Sequence, residues 1–188
     1  MSTLILNGSI NKNGDTEALL EVARNTLMGE VIEISAYHDR IKPCLGCKNC
    51  NGLKCIIKDK LSPIMDLETG MANEIKNVLI ASPVRISGLT GSIMSLAERF
   101  QLWYIMEEFL KVEKKLTIKQ GGLILVGGGY GSSVRAINQA RYILEEMKAT
   151  LLEKDIITSL NTDILPARKD KNAIENVWKM ALRMNQND

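Results

Sequence analysis

The sequence has one histidine, His38, among 188 residues. That scarcity excludes any single-chain site built on two or more histidines, including facial-triad iron and His-rich zinc centres. Long apolar runs are also missing, and no segment approaches the ~20 consecutive apolar residues of a membrane span. The amino terminus, Met1 to Leu6, has neither a basic region nor the apolar stretch of a signal peptide. A cytoplasmic protein without a membrane partner is expected. Nor is there an excess of one charge: 24 Lys plus Arg against 22 Asp plus Glu leave a net +2, which gives no reason to expect nucleic acid. The whole composition, 45% hydrophobic and 24% charged, is that of a single domain over 1–188 with a proper core.

Short apolar runs alternate with longer amphipathic ones. Strands are expected at 3–6, 31–34, 78–81, 122–126 and 156–160, and helices at 15–28, 62–73, 90–115, 132–149 and 170–184. In the second of these helices, Ser62-Pro63 reads as a cap followed by proline at the first helical position. Five strands alternating with helices imply an α/β protein with a parallel sheet covered on both faces. The pattern at 90–115 is apolar on more than one side, which points to burial against a second subunit as well as the sheet, or to a break near Trp103.

In such a sheet the ligand lies at the carboxyl ends of the strands. Three of those ends are rich in small polar residues. The first loop, Gly8 to Thr16, supplies Ser9, Asn11, Asn13 and Thr16, whose hydroxyls, amides and backbone N–H groups at a helix start suit a phosphate. Its alternative is an ordinary strand-to-helix turn in which Asp15 or Thr16 caps the helix. The second loop, Ser82, Pro83, Val84, Arg85, Ile86, Ser87 and Gly88, leaves its strand in a proline-stiffened path able to line a flat ring. The third, Gly127, Gly128, Gly129 and Tyr130, allows close backbone approach and offers an aromatic for stacking. Together they outline an elongated site with a phosphate at one end and a planar group at the other.

All four cysteines fall in one irregular loop at 43–58: Cys44-x2-Cys47-x2-Cys50-x4-Cys55. In a reducing cytosol such a cluster is a set of ligands or redox groups rather than disulfides. Zinc sites draw on two separated pairs, whereas consecutive short spacings wrap one chain around an iron-sulfur cluster, so the pattern favours 4Fe-4S. Zinc and free, oxidisable thiols are the alternatives. From Asp39 to Lys60 six basic residues face two acidic ones, a local +4 on a remainder of −2. That charge would offset an anionic cluster and present a docking surface to ferredoxin or another acidic electron carrier.

Asn7-Gly8-Ser9 with Asn13 to Thr16, the cysteine spacing, Ser82-Pro83-Val84 and Gly127 to Gly129 occur in the order of one family. The chain resembles the flavodoxin-like NADPH-dependent FMN reductases, in particular their iron-sulfur flavoprotein branch. The resemblance implies a three-layer flavodoxin-like fold with a five-stranded parallel sheet. It also implies FMN bound non-covalently, with Ser9, Asn11, Asn13 and Thr16 at the phosphate and the loops from Ser82 and Gly127 around the ring. NAD(P)H is the implied electron donor, and a homodimer or homotetramer the implied assembly. Departures from the family pattern are Arg85 where an aromatic is usual, Met94 for a lysine, Glu98-Arg99 for Asp-Arg and Asp59-Lys60 for Asp-Asp. No catalytic acid, base or nucleophile is required, since the flavin carries the chemistry. The expected function is an FMN-dependent oxidoreductase coupling a 4Fe-4S cluster to FMN. The rivals are a cluster-free FMN or quinone reductase and a non-catalytic electron carrier or redox sensor.

Overall fold

The computed structural model describes residues 2–66, 71–114, 116–117, 119–129 and 131–186. Five strands, β1 (Ser2–Asn7), β2 (Glu30–Ser35), β3 (Ile75–Pro83), β4 (Lys119–Gly127) and β5 (Ala149–Leu160), form one sheet of order β2-β1-β3-β4-β5. Every pairing is parallel. This is the flavodoxin-like doubly wound order, whose ligand crevice opens where the winding reverses, between β1 and β3.

The middles of the central strands are continuously apolar because both faces are covered, and successive residues serve opposite layers. Leu4, Leu6, Val78, Ile80, Leu123 and Leu125 belong to one core. Ile5, Leu79, Ala81, Ile124 and Val126 belong to the other. The second core is closed by α1 (Asp15–Thr26) and α7 (Lys171–Met184). The first is closed by α2 (Ser62–Met65), α3 (Met71–Glu74), the helical stretch after β3, and α6 (Val134–Glu146).

That stretch after β3 is not one regular helix. It runs through α4 (Gly91–Ala97), a 3-10 turn (Glu98–Phe100), α5 (Gln101–Tyr104) and a π-helical turn (Ile105–Phe109). The break expected near Trp103 is therefore spread over two changes of hydrogen-bond pattern, and the helix stops short of residue 115. Trp103 is fully buried and stacks on Phe100, with ring centroids 5.0 Å apart. Tyr104 and Phe109 on the other side are exposed and meet edge to face.

Three other expectations need correction. Ser62 is not the cap of α2, since Leu61 holds that position; the Ser62 hydroxyl instead donates to the Ile57 carbonyl at 2.8 Å. The helix expected over 62–73 is two short turns in the described residues, and residues 67–70 lie outside them. α6 ends at Glu146, and residues 149–155 form the first half of β5 rather than a helix end and a loop. Among the described residues no helix is long and apolar enough to cross a membrane.

Candidate functional site

The loop after β1 is built by its own short polar bonds. Asn7 Oδ1 accepts from Ser9 N–H at 2.9 Å, and Asn11 Oδ1 accepts from Asn13 N–H at 3.0 Å. The Ser9 hydroxyl donates to the Asn11 carbonyl at 3.2 Å, and Gly14 N–H donates to the same carbonyl at 3.2 Å. Asn7 Nδ2 is tied in turn to Glu33 at 2.8 Å and Glu17 at 3.2 Å, both held by Arg24. Ser9 and Thr16 are buried, whereas Asn11 and Asn13 are exposed.

Neither Asp15 nor Thr16 caps the helix. The cap position of α1 is Gly14, with no side-chain hydrogen bond to the first turn. Asp15 turns away to accept Ala167 N–H at 2.8 Å. The first-turn N–H groups of a twelve-residue helix therefore lack a side-chain partner and carry the positive end of its dipole. Arg168 Nη2 donates to the Asn13 carbonyl at 2.9 Å, which brings a cation to the same loop.

The β1 and β3 ends are locked together. Gly8 N–H donates to the Ala81 carbonyl at 2.8 Å, and Thr90 Oγ1 donates to the Gly8 carbonyl at 3.2 Å. Ser82 Oγ accepts from Thr90 N–H at 3.2 Å. A Cβ at Gly8 would stand 2.5 Å from Ile93 Cγ1 and 2.8 Å from Thr90 Oγ1, so only glycine lets the loop pass this close to the start of α4.

β3 continues through Ser82 and Pro83 rather than stopping before them, and Val84 N–H then donates to the Val126 carbonyl at 2.7 Å. Arg85 and Gly88 close a tight turn through two backbone bonds of 2.9 Å each. Its two tip residues, Ile86 and Ser87, have φ of 49° and 61°, an unusual state for a β-branched side chain. Ile86 is 93% exposed. α6 steadies the turn, with Ala136 N–H donating to the Ser87 carbonyl at 3.0 Å and Gln139 Oε1 accepting from Leu89 N–H at 2.8 Å. At the β4 end the Gly127 carbonyl accepts from Thr162 N–H at 3.0 Å, and beside Gly129 the space is open. Tyr130 lies outside the described residues.

The structure thus brings Ser9, Thr16, Ser82, Pro83, Val84, Gly88 and Gly127 to neighbouring strand ends. It adds Thr90, Gln139, Thr162 and Arg168, which sequence reasoning missed. Thr90 stood at a visible helix start; the other three are polar residues whose partners lie 35 to 155 positions away, with no local pattern to mark them.

The cysteine loop is a different structure. Its chain reverses through left-handed residues at Gly46, Lys48 and Leu53, with φ of 60°, 62° and 59°. All four cysteines are free thiols. They border one cavity of about 130 Å³, closed on the other side by Arg99, Gln101 and Ile105. Gly46 N–H donates to Cys44 Sγ and Asn49 Nδ2 to Cys47 Sγ, both at 3.5 Å. Burial raises the Cys50 thiol above its ordinary value, and the nearby Cys44, Cys55 and Cys47 push it further the same way. Even so, among the described residues no three His, Cys, Asp or Glu side chains are arranged to hold a metal ion. His38, just before this loop in sequence, meets the Ile10 carbonyl through Nε2 at 3.1 Å, on the phosphate-type loop.

Beneath the cysteines Arg99, fully buried, donates through Nη1 to Asp59 at 2.7 Å and to the Lys42 carbonyl at 3.2 Å. Burial alone would raise the Asp59 carboxyl, but Arg99, Lys42 N–H and Ser62 together hold it below the usual range.

Residues 1–161 match the profile of the NADPH-dependent FMN reductases. The chain belongs to that family. Its members are FMN-dependent oxidoreductases, and this chain is an oxidoreductase of that kind. Among solved structures it is similar to RosB, crystallised with 8-demethyl-8-formylriboflavin-5'-phosphate, at 14% identity and TM-score 0.72, over 99% of this chain and 78% of that one. It is also similar to an FMN-dependent NADH-azoreductase of Bacillus anthracis in complex with FMN, at 15% identity and TM-score 0.61, over 98% and 100% of the two chains. An archaeal flavodoxin matches at 14% identity and TM-score 0.54, over 99% and 97%. These likenesses show the flavodoxin-like fold. No curated protein matches the sequence.

Proposed function

We propose that this family member couples FMN, held at the β1, β3 and β4 ends, to a 4Fe-4S cluster held by Cys44, Cys47, Cys50 and Cys55. When bound, FMN supplies exchange of a hydride with NAD(P)H and of single electrons with an acceptor, and the cluster supplies one-electron transfer. The residues position and balance charge. The uncapped start of α1, with Ser9, Asn11, Asn13 and Thr16, offers donors to the FMN phosphate. Ser82, Pro83, Val84, Arg85, Ser87 and Gly88 form one edge of the ring site. Gly127, Gly128 and Gly129 form another, where backbone N–H groups can face charge on the ring, and Tyr130 is assigned to ring stacking.

One observation carries this reading. The stretch from Thr90 to Phe109 closes the β1–β3 crevice at its first residue and walls the cysteine cavity with Arg99, Gln101 and Ile105. Two candidate sites thus share one support. Flavin phosphates on this fold in RosB and the Bacillus anthracis azoreductase support the first site. Exposed Tyr104 and Phe109 support a homodimer or homotetramer, and the +4 loop supports docking of ferredoxin or another acidic carrier.

A second reading, a cluster-free NAD(P)H-dependent FMN or quinone reductase, is favoured because among the described residues no three His, Cys, Asp or Glu side chains are gathered to hold a metal ion. Anaerobic reconstitution with iron and sulfide separates the two. Replacing Cys47 with Ser should abolish the visible cluster absorption and leave FMN bound; identical spectra before and after the substitution select the cluster-free enzyme.

A further inference from the structure

Of the four described buried side-chain polar atoms left without a partner, two belong to Arg99: its Nε and Nη2. The side chain is fully buried, and the residue borders the cavity around which the four cysteines stand. Its remaining nitrogen, Nη1, is fixed by Asp59 at 2.7 Å and by the Lys42 carbonyl at 3.2 Å. Asp59 is itself held by Leu61 N–H at 3.1 Å and Lys42 N–H at 3.2 Å. A guanidinium anchored so firmly at one end, with two donor sites unsatisfied at the other, is costly unless an acceptor is supplied. Buried orphan donors beside a sulfur-lined cavity call for a sulfur-bearing anion.

We propose that Arg99 is the buried counter-ion of the sulfur site, donating through Nε and Nη2 to the thiolates or inorganic sulfide of the bound cluster and raising its reduction potential. Asp59 acts as a positioning residue that keeps Nη1 occupied and leaves the other two nitrogens free for the cluster. This rests on the cluster reading. Each one-electron reduction, with the electron taken from the titrant or from a physiological carrier, adds one negative charge to the cluster. A fixed cation in low dielectric favours the reduced form, and the hydrogen bonds to sulfur act in the same direction. The surface lysines of the loop are hydrated and screened, so they cannot replace it.

The test is a dithionite titration under argon, followed by the cluster's visible absorption, on the reconstituted full chain and on Arg99→Gln and Arg99→Lys, with iron and sulfide counted per chain. Arg99→Gln should keep its iron and lose about tenfold in the reduced-to-oxidised ratio at a fixed potential, equivalent to about 59 mV for one electron. Arg99→Lys, which keeps the charge but not the fork, should shift the same way by less, and it carries the test if the Gln chain does not fold. Iron-loaded variants titrating with the wild type would overturn the role of Arg99 and leave the cluster standing. A wild-type chain that takes up no iron would overturn both.

Discussion

The strand-end loops and the cysteine loop share the broken helical stretch after β3 as a support but are made by different physics. At the strand ends, position is fixed by long-range backbone bonds and by close packing: Gly8 against Ala81, Thr90 and Ile93, Val84 against Val126, Gly127 against Thr162. The cysteine loop has little regular structure of its own beyond one 3-10 turn (Asn49–Gly52), turns through strained left-handed residues and leaves most of its side chains exposed. Its firm point is below it, in the Arg99–Asp59 pair. The first region is a preformed socket, whereas the second has its thiols around a cavity and depends on what it binds for final shape.

Disrupting the firm point should have the largest effect. Asp59→Ala leaves Arg99 buried without its counter-charge and should cost about 3–5 kcal/mol of stability by urea denaturation. The sign of the accompanying pH effect follows from the depressed Asp59 carboxyl. Its stabilisation is fully present above the unfolded value near ~4 and is lost as pH falls through the lower folded value, so the wild type should lose stability on acidification more steeply than the variant. Equal acid sensitivity would mean that the pair does not anchor the loop.

Overfilling the socket comes next. Gly8→Ala forces a methyl group into Ile93 and Thr90 and should cost about 1–3 kcal/mol, with weaker FMN retention measured by flavin fluorescence. Unchanged stability and retention would show that the crevice is softer than its bonds imply. The smallest effect is expected in the loop itself. Lys48→Gly removes the left-handed penalty, about 1 kcal/mol at most, and should leave FMN retention untouched.

How legible each region was follows from the same contrast. The central strands and the three strand-end loops announce themselves through apolar runs that end in small polar residues, and the cysteine spacing is visible without any fold. β5 was half hidden because its first part carries Glu153, Lys154 and Asp155, which read as loop. Asp155 is in fact fully buried and neutralised by Arg183 at 2.6 Å, a partner 28 residues away. Arg99 is marked in the sequence only as half of Glu98-Arg99, the counterpart of the family's Asp-Arg, with nothing to tie it to the cysteines. Its burial depends on Asp59, forty positions earlier, and on a cavity that no periodicity encodes.

The central claim, two redox sites on one support, is tested most directly by the composition of protein purified without oxygen. Iron, acid-labile sulfide, zinc and FMN should be measured per chain. The account predicts one FMN with four iron and four sulfide; one FMN with no iron, or zinc in its place, would contradict it.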